Sequence, residues 1–80
     1  MTMKKYINFV DMHDDDCGGV VEVTDDEFAK LQPFRDDMSN CNPLPNSKHR
    51  LLWDEIYERN RVEVDPESLN KEDCLTQTIC

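Results

Sequence analysis

Apolar residues along this chain fall into short groups with two different periods, and the period separates strand from helix. Over residues 4–12 the β-formers Tyr6, Ile7, Phe9 and Val10 crowd together. A period of two puts Ile7 and Phe9 on one face and Tyr6, Val10 and Met12 on the other. Both faces are then partly apolar, as in a central strand. Residues 11–19, DMHDDDCGG, form a turn region, because aspartates favour turns and the paired glycines permit positive φ. A second strand follows over 19–24, with Val21 and Val23 on one face. Together the two strands predict a β-hairpin with a long acidic loop.

The period then changes at a well-marked helix start. Thr24 is a good N-cap and Glu27 stands three residues on, which predicts a capping box. Val23 before the cap and Phe28 four residues after it are placed as a hydrophobic staple. Asp25 and Asp26 set negative charge at the positive end of the helix dipole. Phe28, Leu31, Phe34 and Met38 keep a rough helical spacing across Pro33, which breaks a regular helix; the pattern predicts a kinked or two-part helix to about residue 38. Residues 39–47, SNCNPLPNS, read as a linker. Ser47 is placed to cap a second helix over 48–60, with Leu52, Trp53, Ile56 and Tyr57 on one face. Glu55 and Arg59 are four apart in the favourable order. Lys48, His49 and Arg50 occupy its first turn, where the dipole disfavours cations. They read as solvated surface paired with the acidic loop, or as a contact point for a partner's carboxylates.

Residues 61–65 predict a short strand with Val62 and Val64 inward, Asp65-Pro66 a turn, residues 66–73 a polar stretch with one helical turn, and residues 74–80, CLTQTIC, a last strand burying Leu75 and Ile79. The order β-β-α-α-β-β predicts an α+β fold, a small antiparallel sheet with two helices packed on one face, in a single domain over 1–80.

Composition sharpens this picture. With 80 residues, 38% hydrophobic and 34% charged, the chain is marginal for a lone core. Its apolar residues are nonetheless clustered and periodic, so a small core with loose ends is expected; a homodimer or a bound partner is a natural source of extra stability. A net charge of −9 argues against nucleic acid or an anionic membrane as a direct ligand and suits a protein partner with a basic groove, which nucleic-acid-handling complexes commonly own. The first ten residues have neither the apolar run nor the cleavage site of a signal peptide, and no stretch reaches transmembrane length. The expectation is cytoplasmic, where thiols stay reduced, and Cys17, Cys41, Cys74 and Cys80 are read as four free thiols.

The candidate site is the acidic block. From residue 11 to 27 the chain carries Asp11, Asp14, Asp15, Asp16, Glu22, Asp25, Asp26 and Glu27 and no lysine or arginine. Such a block is either a solvated loop plus a helix start, or a carboxylate surface that steers a basic partner onto itself; spaced like phosphates, it would act as a DNA mimic. Trp53 and Tyr57, one helical turn apart, are core residues or an anchor pair for that partner. The alternative is a calcium or zinc module using the loop from His13 to Asp25. Asp14, Asp16, Gly19, Glu22 and Asp25 fall at EF-hand positions one, three, six, nine and twelve, but Gly18 stands at the fifth position, Asp25 replaces the bidentate glutamate, and the flanks read as strands. For zinc, His13 and Cys17 are four apart and no Cys-x-x-Cys pair exists. As nucleophile and base the same two residues are badly placed, since thiolates need positive surroundings. No cofactor, no metal and no catalysis are expected. In size and charge the chain resembles the small inhibitors that phages and mobile elements direct against host defence, the anti-CRISPR and anti-restriction proteins. That resemblance implies an inhibitor acting on a nucleic-acid-binding complex.

Overall fold

The first apolar run forms β1, Lys5–Asp11, and it is the middle strand of the sheet. The computed structural model describes residues 4–13, 18–42 and 44–79. β2, Gly19–Val23, runs antiparallel to β1 with Val21 opposite Ile7 and Val23 opposite Lys5. β3, Cys74–Ile79, lies on the other side of β1 and parallel to it, with Leu75 opposite Ile7 and Gln77 opposite Phe9. One face of the sheet therefore gathers Ile7, Phe9, Val21, Val23 and Leu75, all buried.

The sheet is mixed and three-stranded, where the sequence pattern predicts four antiparallel strands. β3 returns to the sheet only after the whole helical layer has been traversed, and it enters at the end where β1 begins. The Tyr6 N–H donates to the Asp73 carbonyl at 2.8 Å, and at the far end the Met12 N–H donates to the Ile79 carbonyl at 3.1 Å. A long crossover of this kind is what parallel neighbours require. The expected strand over 61–65 is reduced to a single antiparallel bridge between Val62 and Val20. It stops there because the Val64 N–H turns back to the Val62 carbonyl at 3.0 Å, a γ-turn that takes Val64 off the ladder.

The helical layer covers the apolar face. α1, Asp25–Leu31, starts on the capping box that the sequence predicts. The Glu27 N–H donates to Thr24 Oγ1 at 3.1 Å and the Thr24 N–H to Glu27 Oε1 at 2.9 Å. Val23 and Phe28 flank the cap and are both buried in the core. Pro33 sits in a 3-10 turn, Gln32–Phe34, and α2, Arg35–Ser39, carries Met38 back into the core. α3, Ser47–Tyr57, is capped by Asn46, one residue before the expected Ser47: Asn46 Oδ1 accepts the Lys48 N–H at 2.8 Å. Ile56 is fully buried under the sheet, and Leu52, Trp53 and Tyr57 pack beside it. The architecture is α+β, with the helices on one side of a small mixed sheet.

Lys5 also points to the helical side, where burial would disfavour its charge. It answers Asp73, which is buried, at 2.6 Å. That hydrogen bond raises the lysine's pKa above its ordinary value. The pair ties the start of β1 to the residue that leads into β3.

Gly19 is the one position where the sheet needs glycine. Its φ is +138°, and a Cβ there would stand 3.0 Å from both Cγ and Cδ of Arg61. The Arg61 stem cannot readily yield. Its Nη1 donates to the Tyr57 and Arg59 carbonyls at 2.7 and 2.8 Å, and its guanidinium lies over the rings of Phe9 and Tyr57. Gly19→Ala is expected to cost about 1–2 kcal/mol through combined backbone and steric strain. Urea denaturation checks this, and an unchanged midpoint would mean that neither constraint holds.

The expectation of four free thiols is corrected. Cys41 is disulfide-bonded, and Cys74 is free, with partial burial raising its pKa.

Candidate functional site

The acidic block is continuous in sequence but divided in space. β2 runs through its middle at about 3.3 Å per residue, so its five residues hold the two halves about 13 Å apart. At one end, Asp11 closes β1, half-buried, and its Oδ1 accepts the His13 N–H at 2.8 Å. Asp14, Asp15 and Asp16 lie outside the described residues. At the other end stand Asp25, Asp26 and Glu27, in the first turn of α1. Glu22 pairs with Tyr6 across the ladder and so faces away from the helices; it makes an exposed ion pair with Lys4 at 3.5 Å.

The members differ in how firmly they are held. Asp26 meets Lys30 one turn on at 3.0 Å, with both side chains well exposed. Exposed pairs such as this and Lys4–Glu22 are worth little, and a partner's arginine competes with them readily. Asp25 is exposed. Glu27 is different. Its side chain is only 13% exposed, and it receives both Nη1 and Nη2 of Arg59, at 2.9 and 2.6 Å. Together with the capping bond from Thr24, the guanidinium holds this carboxyl down at about 2. Glu27 is thus tied into the scaffold, through Arg59 and through the cap of α1.

Arg59 does more than hold Glu27. Its Nη2 also reaches Glu55 Oε1 at 3.4 Å. One guanidinium therefore joins the N-terminus of α1 to the C-terminal half of α3. Glu55 near the end of α3 and Glu58 at its C-cap are both exposed. Through Arg59, Glu55 on α3 and Glu27 at the N-terminus of α1 share one guanidinium, a meeting that the sequence block alone does not delimit. The signal was present in the helical spacing, since Leu51, Glu55 and Glu58 are three to four residues apart and share one face. Leu51 on that face is 70% exposed.

The charge order along α3 opposes its dipole. Lys48, His49 and Arg50 stand in the first turn, and no acid is there; Asp54, Glu55 and Glu58 crowd the other end, which has no basic residue in its last turn. Each such placement costs up to about 1 kcal/mol at an exposed helix end. A local rule broken at both ends of one helix marks that helix as a functional candidate.

Trp53 and Tyr57 are packed more than presented. Their rings stack at 5.0 Å with 9° between planes, and both meet Phe9 edge-on, at 5.6 and 5.1 Å. Trp53 Nε1 donates to Gln77 Oε1 at 2.8 Å. Gln77 is a buried polar residue that the alternation Leu75, Ile79 does not single out; its register opposite Phe9 places it under the tryptophan.

Among the described residues, no three histidine, cysteine or carboxylate side chains converge on a metal site. Asp14 and Asp16, which the calcium reading needs, and Cys17, which the zinc reading needs, lie outside those residues. No helix among the described residues is long and apolar enough to cross a membrane. Comparison of the chain with protein-family models, with curated proteins and with solved structures finds no match.

Proposed function

We propose that this chain is a small, non-enzymatic binding module that inhibits a larger protein by occupying its basic, nucleic-acid-binding surface. The observation that supports this reading is an acidic surface of exposed carboxylates, Asp25, Asp26, Glu55 and Glu58, on or beside two helices that Arg59 ties together through Glu27 and Glu55. With a net charge of −9, that surface steers a basic partner toward itself and repels nucleic acid. The chemistry suits a DNA mimic of the phage or mobile-element kind, working in the cytoplasm of the cell that owns the target.

The test begins with a partner captured from the source cell and identified by mass spectrometry. Binding to the purified partner is then measured against salt and against competing duplex DNA. The wild-type chain is expected to lose affinity steeply with salt and to be displaced by DNA. Neutralising Asp25 and Asp26 to Asn and Glu55 and Glu58 to Gln should weaken binding by about 10- to 100-fold, mostly through slower association. Circular dichroism confirms that the variant is folded. Undiminished binding by that variant, or indifference to DNA, overturns the proposal. Reversal of Asp14, Asp15 and Asp16 to Lys reports separately on the loop's share of the contact.

A further inference from the structure

On the other side of α3, away from the Arg59 bridge, a cavity of about 360 Å³ opens between α3, β3 and the segment after α2. Its size falls within the range of small-molecule sites. Leu44, Trp53 and Ile79 supply its apolar lining, and Arg50, Asp54 and Gln77 its polar groups. Gln77 is 7% exposed. Its Oε1 takes the Trp53 indole N–H, and its Nε2 donates to the Thr78 carbonyl, both at 2.8 Å. One amide N–H and one lone pair are left for a ligand.

Arg50 and Asp54 are one helical turn apart, yet among the described residues neither has an ion pair or a side-chain hydrogen bond. The basic residue precedes the acidic one, which is the weaker order for such a pair. The cavity is therefore flanked by one cation and one anion, each available. A simple carboxylate would suit Arg50 but would be repelled by the net charge of −9. A simple amine would suit Asp54 but would face Arg50. A ligand carrying both charges satisfies both residues and has no net charge for the protein's field to oppose.

We propose that this cavity binds a small zwitterion with an apolar body, the chemistry of a free apolar or aromatic α-amino acid. Its carboxylate meets Arg50, its ammonium meets Asp54, and its side chain lies against Trp53, Leu44 and Ile79. The site is independent of the acidic surface, which uses neither Arg50 nor Asp54.

Trp53 is the chain's single tryptophan, so its fluorescence reports on the cavity directly. The probes are L-phenylalanine, 3-phenylpropionate and 2-phenylethylamine, which share one body and differ in charge. L-phenylalanine is expected to perturb Trp53 at millimolar concentration and to bind about tenfold tighter than either analogue, one charge-assisted contact being lost with each. Arg50→Gln should abolish its advantage over 2-phenylethylamine, and Asp54→Asn its advantage over 3-phenylpropionate. Both positions are exposed, so both variants should fold. No response to L-phenylalanine at millimolar concentration, equal affinity for all three probes, or wild-type affinity in both variants overturns the proposal.

Discussion

Lowering the pH from about 5 to about 2 is expected to remove about 2 kcal/mol of stability that Glu27→Gln has already lost at pH 7. The Glu27 carboxyl, whose ordinary value is 4.5, is held at about 2, foremost by the hydrogen bonds from Arg59. The unfolded chain therefore binds this proton more readily than the folded one. The stabilisation is complete above the unfolded value and is lost as the pH falls through the folded one. Taken at full weight, the gap is worth about 3 kcal/mol. Solvent reaching Arg59, whose side chain is 33% exposed, screens the pair and brings the expectation to about 2 kcal/mol. Glutamine is the informative substitute because its amide oxygen can still accept the Thr24 N–H and so preserves the cap. Denaturant midpoints of the two proteins, measured at several pH values, should differ most near neutrality and converge near pH 2. Curves that stay parallel across the whole range would show that the charge of Glu27 contributes nothing to the fold.

The same residue shows how far the sequence could be read. Thr24 and Glu27 stand at capping-box spacing, and the box forms, because it is a local arrangement that needs only its own four residues. The face assignments of Ile7, Phe9, Val21 and Val23 are legible for a similar reason: a strand's period is fixed by its backbone. What local pattern cannot carry is the meeting of distant segments. Nothing in the order of residues says that Arg59 crosses to Glu27 and holds its carboxylate in an ion pair. Nothing says that residues 74–79 lie beside β1 and not β2, and so run parallel. The strand expected over 61–65 fails after one bridge because a γ-turn at Glu63 competes with the ladder over a stretch too short to resist it.

The candidate site follows the same division. Charge along the chain marks Asp25 and Asp26 correctly as exposed carboxylates, and the helical period would have added Glu55 and Glu58. That Arg59 ties Glu55 to Glu27 is a tertiary fact. Trp53 and Tyr57 were open to either reading on spacing alone. Their stacking, and their edges against Phe9, put most of their surface to structural use. The indole N–H then needs a partner, and Gln77 supplies it from a strand that reads as simple alternation.

Reduction of the Cys41 disulfide is expected to destabilise the chain by about 2–4 kcal/mol, the usual worth of such a link in a small domain. In a chain this short that corresponds to a fall in Tm of about 10–20 °C. The backbone gives an independent reason to expect a large effect. Cys41 follows the Asn40 cap of α2 and has φ +63°. This left-handed position after a helix is ordinarily glycine's, and a side chain there costs about 1 kcal/mol relative to glycine. The cysteine is retained in that conformation while its sulfur, 3.3 Å from the Thr78 carbonyl oxygen, is anchored beside β3. Once the link is broken the strain remains and the anchor is gone. Three proteins separate the two contributions: Cys41→Ser loses the link and keeps the strain, whereas Cys41→Gly loses the link and relieves the strain. The expected order of stability is oxidised wild type, then Cys41→Gly, then Cys41→Ser, with the two variants about 1 kcal/mol apart and indifferent to reductant. Thermal denaturation with and without reductant reads all of these values. Equal melting of oxidised and reduced wild type would show that the link adds nothing, and Cys41→Ser matching Cys41→Gly would show that the left-handed backbone is not held. In a reducing cytoplasm the bond would be disfavoured, so the same measurement states how much stability a bound partner must then supply.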